Sequence, residues 1–384
     1  MDERTEEKAL NDIGNNHSSS ESRITKQTNE TEREVKHMWK IGVIGAGYWS
    51  QKHLNAWTSI DGVSVEGICD FNLEQAEQRA EQFNLANDIC FQDINDMLAS
   101  TEIDVIDIIT PPETHVELVG IAAKHGKHIM CQKPFARSIE EAKKIIHIAE
   151  EAGVRLMVTE NWRWLEPFQK IKTLLEEEKV GKIHSVRYSH TDFYSPRFGE
   201  SKPLPQPFFR DMPKLLFYEM GVHWFDTWRF LFGEPKRLFA EHVQISPYVK
   251  GEDSGFISIA HEDFIGLMDM SWATRRELET ALSEPVLPDH KEQLSVEGDL
   301  GTIKLYKNGT ITFINNDGME ETLVEHTEIN YEESHIKLQR HFIECLNTGA
   351  KFQTSARDNL KTLQLVFATY QSADEHEVVH FNVQ

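Results

Sequence analysis

The chain has 384 residues, 27% of them charged, and a formal net charge of −23. This negative field would repel the phosphates of nucleic acids and the headgroups of anionic membranes, so no nucleic acid or membrane partner is expected. The length allows two ordinary domains or one large one, and the hydrophobic content of 39% is enough for a sizeable packed core. No apolar run reaches the ~18 residues that a membrane helix needs.

Residues 1–37 are rich in Asn, Ser, Glu and Thr and show no apolar periodicity. Such a segment cannot bury enough apolar surface to fold, so a disordered polar tail is expected. Its start, "MDERTEEKAL", lacks the apolar core of a secretory signal, and the four cysteines show no paired spacing. The sequence therefore predicts a cytoplasmic protein with reduced thiols.

Over residues 39–160, short apolar strands alternate with helical segments. The predicted strands include "KIGVIG", "VSVEGIC", "VIDIIT", "HIMC" and "RLMVTE". Nearly continuous apolar strands that alternate with helices are typical of a parallel sheet covered on both faces. The fold class predicted for this part of the chain is therefore α/β with a parallel sheet.

Over residues 161–384 the pattern changes to longer strands in which polar and apolar residues alternate, such as "FIGLMDMSWA". This period of two predicts an α/β domain with a large open, mostly antiparallel sheet that buries one face. One helix, "LFYEMGVHWFDTWRFLFG", is expected to interrupt the strands, and a second, "SARDNLKTLQLVFATYQSADE", is expected to close the chain.

The segment "GVIGAGYWS" joins the first predicted strand to the first predicted helix. In this setting Gly45 makes the turn, and Gly47 lets a pyrophosphate approach the backbone at the helix N-terminus. Ser50 stands where a third glycine is usual. We predict a dinucleotide-binding Rossmann loop whose next residues, Tyr48 and Trp49, also contact the cofactor.

Asp70 ends the second predicted strand, 25 positions beyond Gly45. A carboxylate about 20 residues after the glycines usually accepts the ribose hydroxyls of the dinucleotide. It would also repel a 2′-phosphate, and the neighbours Phe71 and Asn72 supply no compensating cation. The sequence therefore predicts NAD in preference to NADP, with a solvated turn aspartate as the alternative.

The turn "TPPETH" follows the predicted strand "VIDIIT". Ligands of open parallel sheets bind at the carboxyl ends of the strands. Thr110, Pro111 and His115 are therefore predicted neighbours of the cofactor.

Two further segments contain residues that could take part in chemistry. In "CQKPF", Lys133 follows an apolar strand, where a lysine is rare unless it is paired or used. In the predicted helix "LFYEMGVHWFDTWRFLFG", Glu219, His223 and Asp226 fall on one helical stripe. By itself this stripe fits a solvated face, a metal site or a histidine oriented by a carboxylate.

These motifs together, and in this order, resemble the glucose–fructose oxidoreductase/inositol dehydrogenase/MocA family. The motifs are the glycine-rich loop, the T-P-x-x-x-H turn, the K-P dipeptide and a helix with an acid and a histidine four residues apart. The resemblance extends from Trp39 to the C-terminus. It implies a Rossmann NAD-binding domain over 39–160 and a substrate and oligomerisation domain over 161–384.

The resemblance also implies an activity: NAD(P)-dependent oxidation of a hydroxyl-bearing carbon in a sugar, cyclitol or related polyol. Family members often make oligomer contacts through the open sheet, so a homo-oligomer, either a dimer or a tetramer, is implied. No metal is implied.

The resemblance assigns roles to the catalytic candidates. Lys133 would reach the oxygen on the reacting carbon, His223 would be the general acid/base, and Glu219 would hold the His223 ring. Two residues depart from the family pattern: Gln132, a cofactor neighbour, replaces a glutamate, and Glu219 replaces an aspartate. The residues that match cofactor-binding positions are Gly45, Gly47, Asp70, Thr110 and Pro111.

Candidate substrate-binding residues lie where the two predicted domains meet and in the proline-rich loop before the His223 helix. Trp162 could pack on a sugar, while Arg163 and Arg210 could bind hydroxyls or a carboxylate. A purely structural role for these loops is the alternative. At the level of function, the alternatives are a non-catalytic NAD- or sugar-binding protein, an enzyme that keeps NAD and oxidises transiently, and a metal-dependent isomerase.

Overall fold

The structure is a computed structural model that describes residues 37–199, 206–274, 291–326 and 329–381. The expected disordered tail lies outside the described residues except for His37, and so does part of the proline-rich loop, residues 200–205. None of the described helices is both long and apolar enough to cross a membrane.

The first sheet has six strands in the order β3-β2-β1-β4-β5-β6, and all of them are parallel. The strands are β1 (Trp39–Ile44), β2 (Val63–Cys69), β3 (Cys90–Phe91), β4 (Val105–Ile108), β5 (His128–Gln132) and β6 (Leu156–Thr159). This is the strand order of a dinucleotide-binding Rossmann fold, whose ligand crevice opens where the order reverses, between β1 and β4. The predicted parallel α/β fold is confirmed.

Five helices connect these strands. They are α1 (Ser50–Trp57), α2 (Leu73–Gln82), α3 (Ile94–Ser100), α4 (His115–Lys124) and α5 (Ile139–Glu151). Side-chain oxygens of Asn72, Asp93 and Ser138 accept backbone N–H groups at the starts of α2, α3 and α5. These caps satisfy donors that the helices themselves leave free, and they fix where each helix begins.

The second sheet has nine strands in the order β14-β13-β12-β11-β7-β10-β9-β8-β15. The strands are β7 (Ile183–Thr191), β8 (Arg237–Val243), β9 (Ser254–Ala260), β10 (Ile265–Ser271), β11 (Glu292–Gly298), β12 (Gly301–Tyr306), β13 (Ile311–Asn315), β14 (Glu320–Val324) and β15 (Val379–His380). Among the described strands of this sheet, only β7 and β10 pair in parallel, so the predicted open, mostly antiparallel sheet is confirmed.

The helices of the second half are α6 (Glu166–Glu176), α7 (Leu216–Glu219), α8 (Gly221–Phe232), α9 (Tyr331–Thr348) and α10 (Ala356–Glu375). The sequence predicted α7 and α8 as one helix, but in the structure the helix is interrupted at Met220. Gly221, a poor helix former, follows the break. Glu252 accepts the backbone N–H groups of Leu215 and Phe217 and so fixes where α7 begins.

Helix α9 was not predicted from the sequence. It packs on α1 rather than on the second sheet. Its buried residues Leu338, Phe342 and Cys345 share a hydrophobic cluster with Leu54 and Trp57 of the first half. The second half of the chain therefore completes the core beneath the nucleotide-binding helix.

Candidate active site

The glycine-rich loop has the shape that a dinucleotide requires. Gly45 has φ +99°, and a Cβ there would lie 3.1 Å from the Ile109 carbonyl carbon, so only glycine fits without strain. A Cβ at Gly47 would meet nothing within 4 Å, so the backbone there faces open space. Ser50 donates its hydroxyl to the Gly47 carbonyl at 2.7 Å, closing the turn as α1 begins.

Asp70 lies beside this loop. Its two carboxylate oxygens accept the N–H of Ala46 at 2.7 Å and the N–H of Asn72 at 2.9 Å. Each oxygen keeps a lone pair that could accept a ribose hydroxyl. Arg79, which the sequence analysis missed, donates to the Gly47 carbonyl at 3.0 Å from α2.

The other predicted cofactor neighbours differ in whether their side chains can face a ligand. Tyr48 is 51% exposed, while Trp49 lines the cavity described below. Pro111 is exposed beside Thr110 at the carboxyl end of β4. His115 does not face a ligand, since it is fully buried and its ring nitrogens contact the Phe135 and Thr110 carbonyls at 2.9 Å. The prediction for His115 is therefore corrected: it supports the turn from behind.

A cavity of about 290 Å³ opens at the carboxyl ends of β5 and β6. It brings together Lys133, Glu219 and His223, together with their neighbours Gln132 and Trp162. The remaining lining residues are Trp49, Asn161, His190, Asp192, Tyr194, Gln206, Phe209, Met220, Trp272, Tyr331 and His335. Aromatic walls around a few polar groups are typical of a small-molecule site.

Lys133 and Glu219 form a buried ion pair in this cavity. The Lys133 Nζ lies 2.5 Å from Glu219 Oε1 and 3.2 Å from the Glu219 carbonyl oxygen. Only 6% and 8% of the two side chains are exposed. The pairing with Glu219 offsets the cost of burying the lysine. The ammonium group remains at the wall of the cavity.

His223 is bound to a different carboxylate from the one predicted. Its Nδ1 lies 2.6 Å from Oε1 of Glu160, the residue that follows β6, and its ring stacks on Trp162 with centroids 4.8 Å apart. The predicted contact with Glu219 is absent, since the break at Met220 turns the two side chains to different partners. Glu160, rather than Glu219, holds the ring.

Burial sets the protonation of this pair. It raises the pKa of Glu160 to about 7 and, with the nearby charge of Lys133, lowers the pKa of His223 well below its usual range. A neutral imidazole is therefore expected at neutral pH, with its Nδ1–H donated to Glu160. This leaves Nε2 as the ring nitrogen that can accept a proton from a ligand.

The two predicted substrate arginines lie outside the cavity. Arg163 is buried and donates to both oxygens of Asp226 at 2.8 and 2.6 Å, so it ties the end of the first half to α8. Arg210 lies in the short helical turn Pro207–Asp211 and does not line the cavity, whereas Phe209 of the same turn does.

The three side chains of the alternative metal site do not converge. Glu219 binds Lys133, His223 binds Glu160, and Asp226 binds Arg163. No group of three or more potential metal ligands occurs among the described residues.

Several residues that line the cavity, or that hold a side chain lining it, were missed from the sequence. Glu160 lies at the carboxyl end of β6, the same sheet edge as Lys133, and this position is the signal that could have identified it. Tyr331 and His335 come from α9, which carried no recognised signal.

Comparison with known proteins identifies the family of the chain. Residues 39–160 match the family described as "Oxidoreductase family, NAD-binding Rossmann fold", and residues 168–304 match the "GFO/IDH/MocA C-terminal domain". The chain therefore belongs to the glucose–fructose oxidoreductase/inositol dehydrogenase/MocA family of NAD-binding oxidoreductases.

Among curated relatives, the D-apiose dehydrogenase of Paraburkholderia graminis is 32% identical over 350 residues, covering 89% of each chain. The D-apiose dehydrogenase of Rhizobium rhizogenes is 29% identical over 87% of this chain and 95% of its own length. An Agrobacterium radiobacter oxidoreductase, solved with NAD⁺, L-tartaric acid and magnesium, has a TM-score of 0.78 and 29% identity over 89% of this chain and 98% of its own.

The pKa of Glu160 yields a stability prediction. Because the folded-state pKa is about 7, above the ordinary 4.5, the protonated carboxyl favours folding at low pH, and this contribution is lost as pH rises through 7. Relative to Glu160→Gln, the parent should lose stability on the order of 3 kcal/mol between about pH 5 and pH 8. Urea titrations across this range measure the free energy of unfolding.

Glu262→Gln is the matched control, because 80% of the Glu262 side chain is exposed. Its stability should follow that of the parent at every pH. A Glu160→Gln curve that also stays parallel to the parent would show that the buried carboxyl does not titrate in this range.

Proposed function

We propose that this protein oxidises a hydroxyl-bearing carbon of a small sugar, cyclitol or related polyol with NAD. The observation that supports this most is the joining of two buried pairs, Lys133–Glu219 and His223–Glu160, in one cavity beside the glycine-rich loop. A cation and a neutral base directed at one cavity are the groups needed to remove a hydroxyl proton while hydride leaves the same carbon.

The described residues fit a dinucleotide. Gly45 and Gly47 would cradle the pyrophosphate at the start of α1, and Asp70 would accept the ribose hydroxyls. When bound, NAD supplies the hydride acceptor, and the chain supplies position and charge.

Lys133 would bind the oxygen that is to be oxidised. An ammonium group has three N–H donors, and Glu219 occupies two of them through Oε1 and its backbone oxygen. The third donor remains for a substrate oxygen. The pairing with Glu219 also fixes the direction of the ammonium group, so its charge stabilises the oxygen as that oxygen loses its proton.

His223 would take that proton on Nε2. The imidazolium ion that forms keeps its Nδ1–H on Glu160, whose carboxylate would stabilise the new positive charge. Stacking on Trp162 holds the ring plane during this transfer.

The cavity also supports a proposal about the substrate. At about 290 Å³ it suits a small monosaccharide, and it offers aromatic faces at Trp162 and Phe209 for apolar C–H surfaces. Relatives named D-apiose dehydrogenase make D-apiose the first substrate to test.

A substrate panel tests this function. D-apiose, inositols and common aldoses and polyols are each incubated with NAD, and the appearance of reduced cofactor is followed.

Lys133→Met should remove most of the rate, and His223→Asn should lower it by ~10²–10⁴-fold, as expected for a placed proton acceptor. Because the two residues act together, the double variant should be little slower than the slower single variant.

Lys182→Met is the control lysine substitution, because that side chain is 58% exposed and remote from the cavity lining. NAD affinity is measured for every variant. If Lys133→Met and His223→Asn turn over like the parent, catalysis does not use these residues. If they lose NAD binding instead, Lys133 is a cofactor residue. No turnover with any sugar, together with NAD that survives desalting, would favour transient oxidation by a retained cofactor.

The preference for NAD over NADP is a separate proposal. The Asp70 carboxylate would face a 2′-phosphate, and repulsion between these like charges should weaken the binding of NADP. NAD should therefore bind at least about tenfold more tightly than NADP, a difference of about 1.4 kcal/mol or more. Calorimetric titration of both cofactors measures the difference. Asp70→Asn keeps an acceptor for the Ala46 N–H but removes the charge together with the acceptor of the Asn72 N–H, so the difference in affinity between NAD and NADP should become smaller. Equal binding of both cofactors to the parent would contradict the proposal.

We propose a homo-oligomer built on the open face of the second sheet. Phe256, Ile265 and Leu267 are 53%, 63% and 42% exposed on adjacent strands, beside Arg187 and Glu241. Apolar residues flanked by charges of both signs suit a symmetric contact in which one patch meets its copy.

Light scattering after gel filtration tests this. Leu267→Asp should convert a dimer or tetramer to a smaller species, because it places charge in the patch. Met319→Asp is the control, since Met319 is 64% exposed in the β13–β14 turn, away from the patch. A parent that elutes as a monomer would exclude the proposal.

We retain the cytoplasm as the proposed location. All four cysteines lie in the described residues and carry free thiols, which suits a reducing compartment.

A further inference from the structure

A buried chain of polar side chains lies behind Lys133. Asp107 on β4 accepts the indole N–H of Trp57 at 2.7 Å and lies 2.8 Å from Nδ1 of His53 on α1. Both Asp107 and His53 are fully buried, and neither lines the cavity. The proposed reaction does not use them.

Gln132 joins this pair to Lys133. Its amide oxygen lies 2.7 Å from the backbone nitrogen of Lys133, and its amide nitrogen lies 2.9 Å from Nε2 of His53. A backbone N–H can only donate, so the group facing it must be the amide oxygen. The amide nitrogen is then turned towards His53, and it also can only donate.

The direction of every bond in the chain follows. His53 must accept at Nε2, so its only proton is on Nδ1 and is donated to Asp107. A proton on Nε2 would place two donors face to face. The orientation of the Gln132 amide therefore depends on a neutral His53.

We propose that Gln132 is a positioning residue, locked by the Asp107–His53 pair, that fixes the backbone of Lys133 at the cavity. This inference rests on the role of Lys133 in the proposed function. It explains how the chain accommodates glutamine where its family has glutamate: the donor that His53 needs is an amide, which a carboxylate cannot replace.

Replacement of Gln132 by glutamate should therefore change the number of protons that the hydrogen-bonded chain Asp107–His53–Gln132 holds. In Gln132→Glu, one carboxyl oxygen would accept from Lys133, and the contact with His53 Nε2 would require a proton between the two groups. The new carboxyl group holds that proton and donates it to Nε2, or His53 becomes an imidazolium, or the His53 proton moves to Nε2 and Asp107 takes one. In all three cases the hydrogen-bonded chain binds one more proton than in the parent.

The charged and titratable groups near His53 influence how strongly the added proton is held. Asp107 faces the ring from β4, and Lys133 follows Gln132 at the end of β5. The His335 ring of α9 lies 5.1 Å from the His53 ring. Lys52, next to His53 on α1, is paired with Glu332 at the surface.

Nuclear magnetic resonance of the full chain with ¹⁵N-labelled histidine tests the inference without any substrate. His53 is assigned by loss of its signals in His53→Gln. In the parent, His53 should carry its only proton on Nδ1. In Gln132→Glu, the Nε2 signal should shift, because the added proton is bound either to Nε2 or to the new carboxyl group that faces it. A parent spectrum with Nε2 protonated would overturn the proposal, even if the variant fails to fold.

Kinetics supply the second readout. If the extra proton is needed to hold Lys133, kcat of Gln132→Glu should approach that of the parent at low pH. It should fall about tenfold for each pH unit above the ionisation, the slope of a single proton. Gln371→Glu is the matched control, because it adds the same charge at an exposed position of α10 that does not line the cavity. Its kcat relative to the parent should not show this slope.

The outcomes separate the two proposals. Equal kcat for Gln132→Glu and the parent at every pH would show that the hydrogen bonds of Asp107, His53 and Gln132 do not position Lys133. If the parent shows the expected His53 spectrum but turns over no sugar, the proposed orientation of Gln132 is supported and the proposed function is rejected.

Discussion

The buried ammonium group of Lys133 is the constraint on which the rest of the site depends. A charge without water around it must be paired, and here Glu219 supplies the partner at 2.5 Å. Lys133 follows a strand of the first sheet and Glu219 ends a helix of the second half, so the pair also joins the two halves of the chain at the cavity. Burial lowers the pKa of His223, and the charge of Lys133 lowers it further, so both help to keep that ring neutral.

Carboxylates therefore have separate tasks in this protein. Glu219 fixes a cation, Glu160 fixes a base, and Asp107 fixes His53 behind the cavity. Each of these acids is buried and holds one basic group. The separation matters chemically, because an acid shared between Lys133 and His223 would draw both towards itself and away from a substrate.

The sequence predicted elements better than it predicted partners. Strand and helix periodicities located the first sheet, and a lysine after an apolar strand indicated a used position, because both signals are local. The pairing of Glu219 was not local. It depends on the break at Met220, and the helix before that break is anchored by Glu252, more than thirty positions along the chain. Arg163 looked like a substrate ligand for the same reason, since its partner Asp226 lies 63 positions away.

The return of α9 to the first half bears on how such chains can be recombined. A cut near residue 160 would leave Leu54 and Trp57 facing water, because Phe342 and its neighbours would stay with the other fragment. Exchange of nucleotide-binding halves between relatives therefore has to carry residues 331–348 along with residues 39–160. The packing unit around α1 is therefore discontinuous in sequence, and its last segment also contributes Tyr331 and His335 to the wall of the cavity.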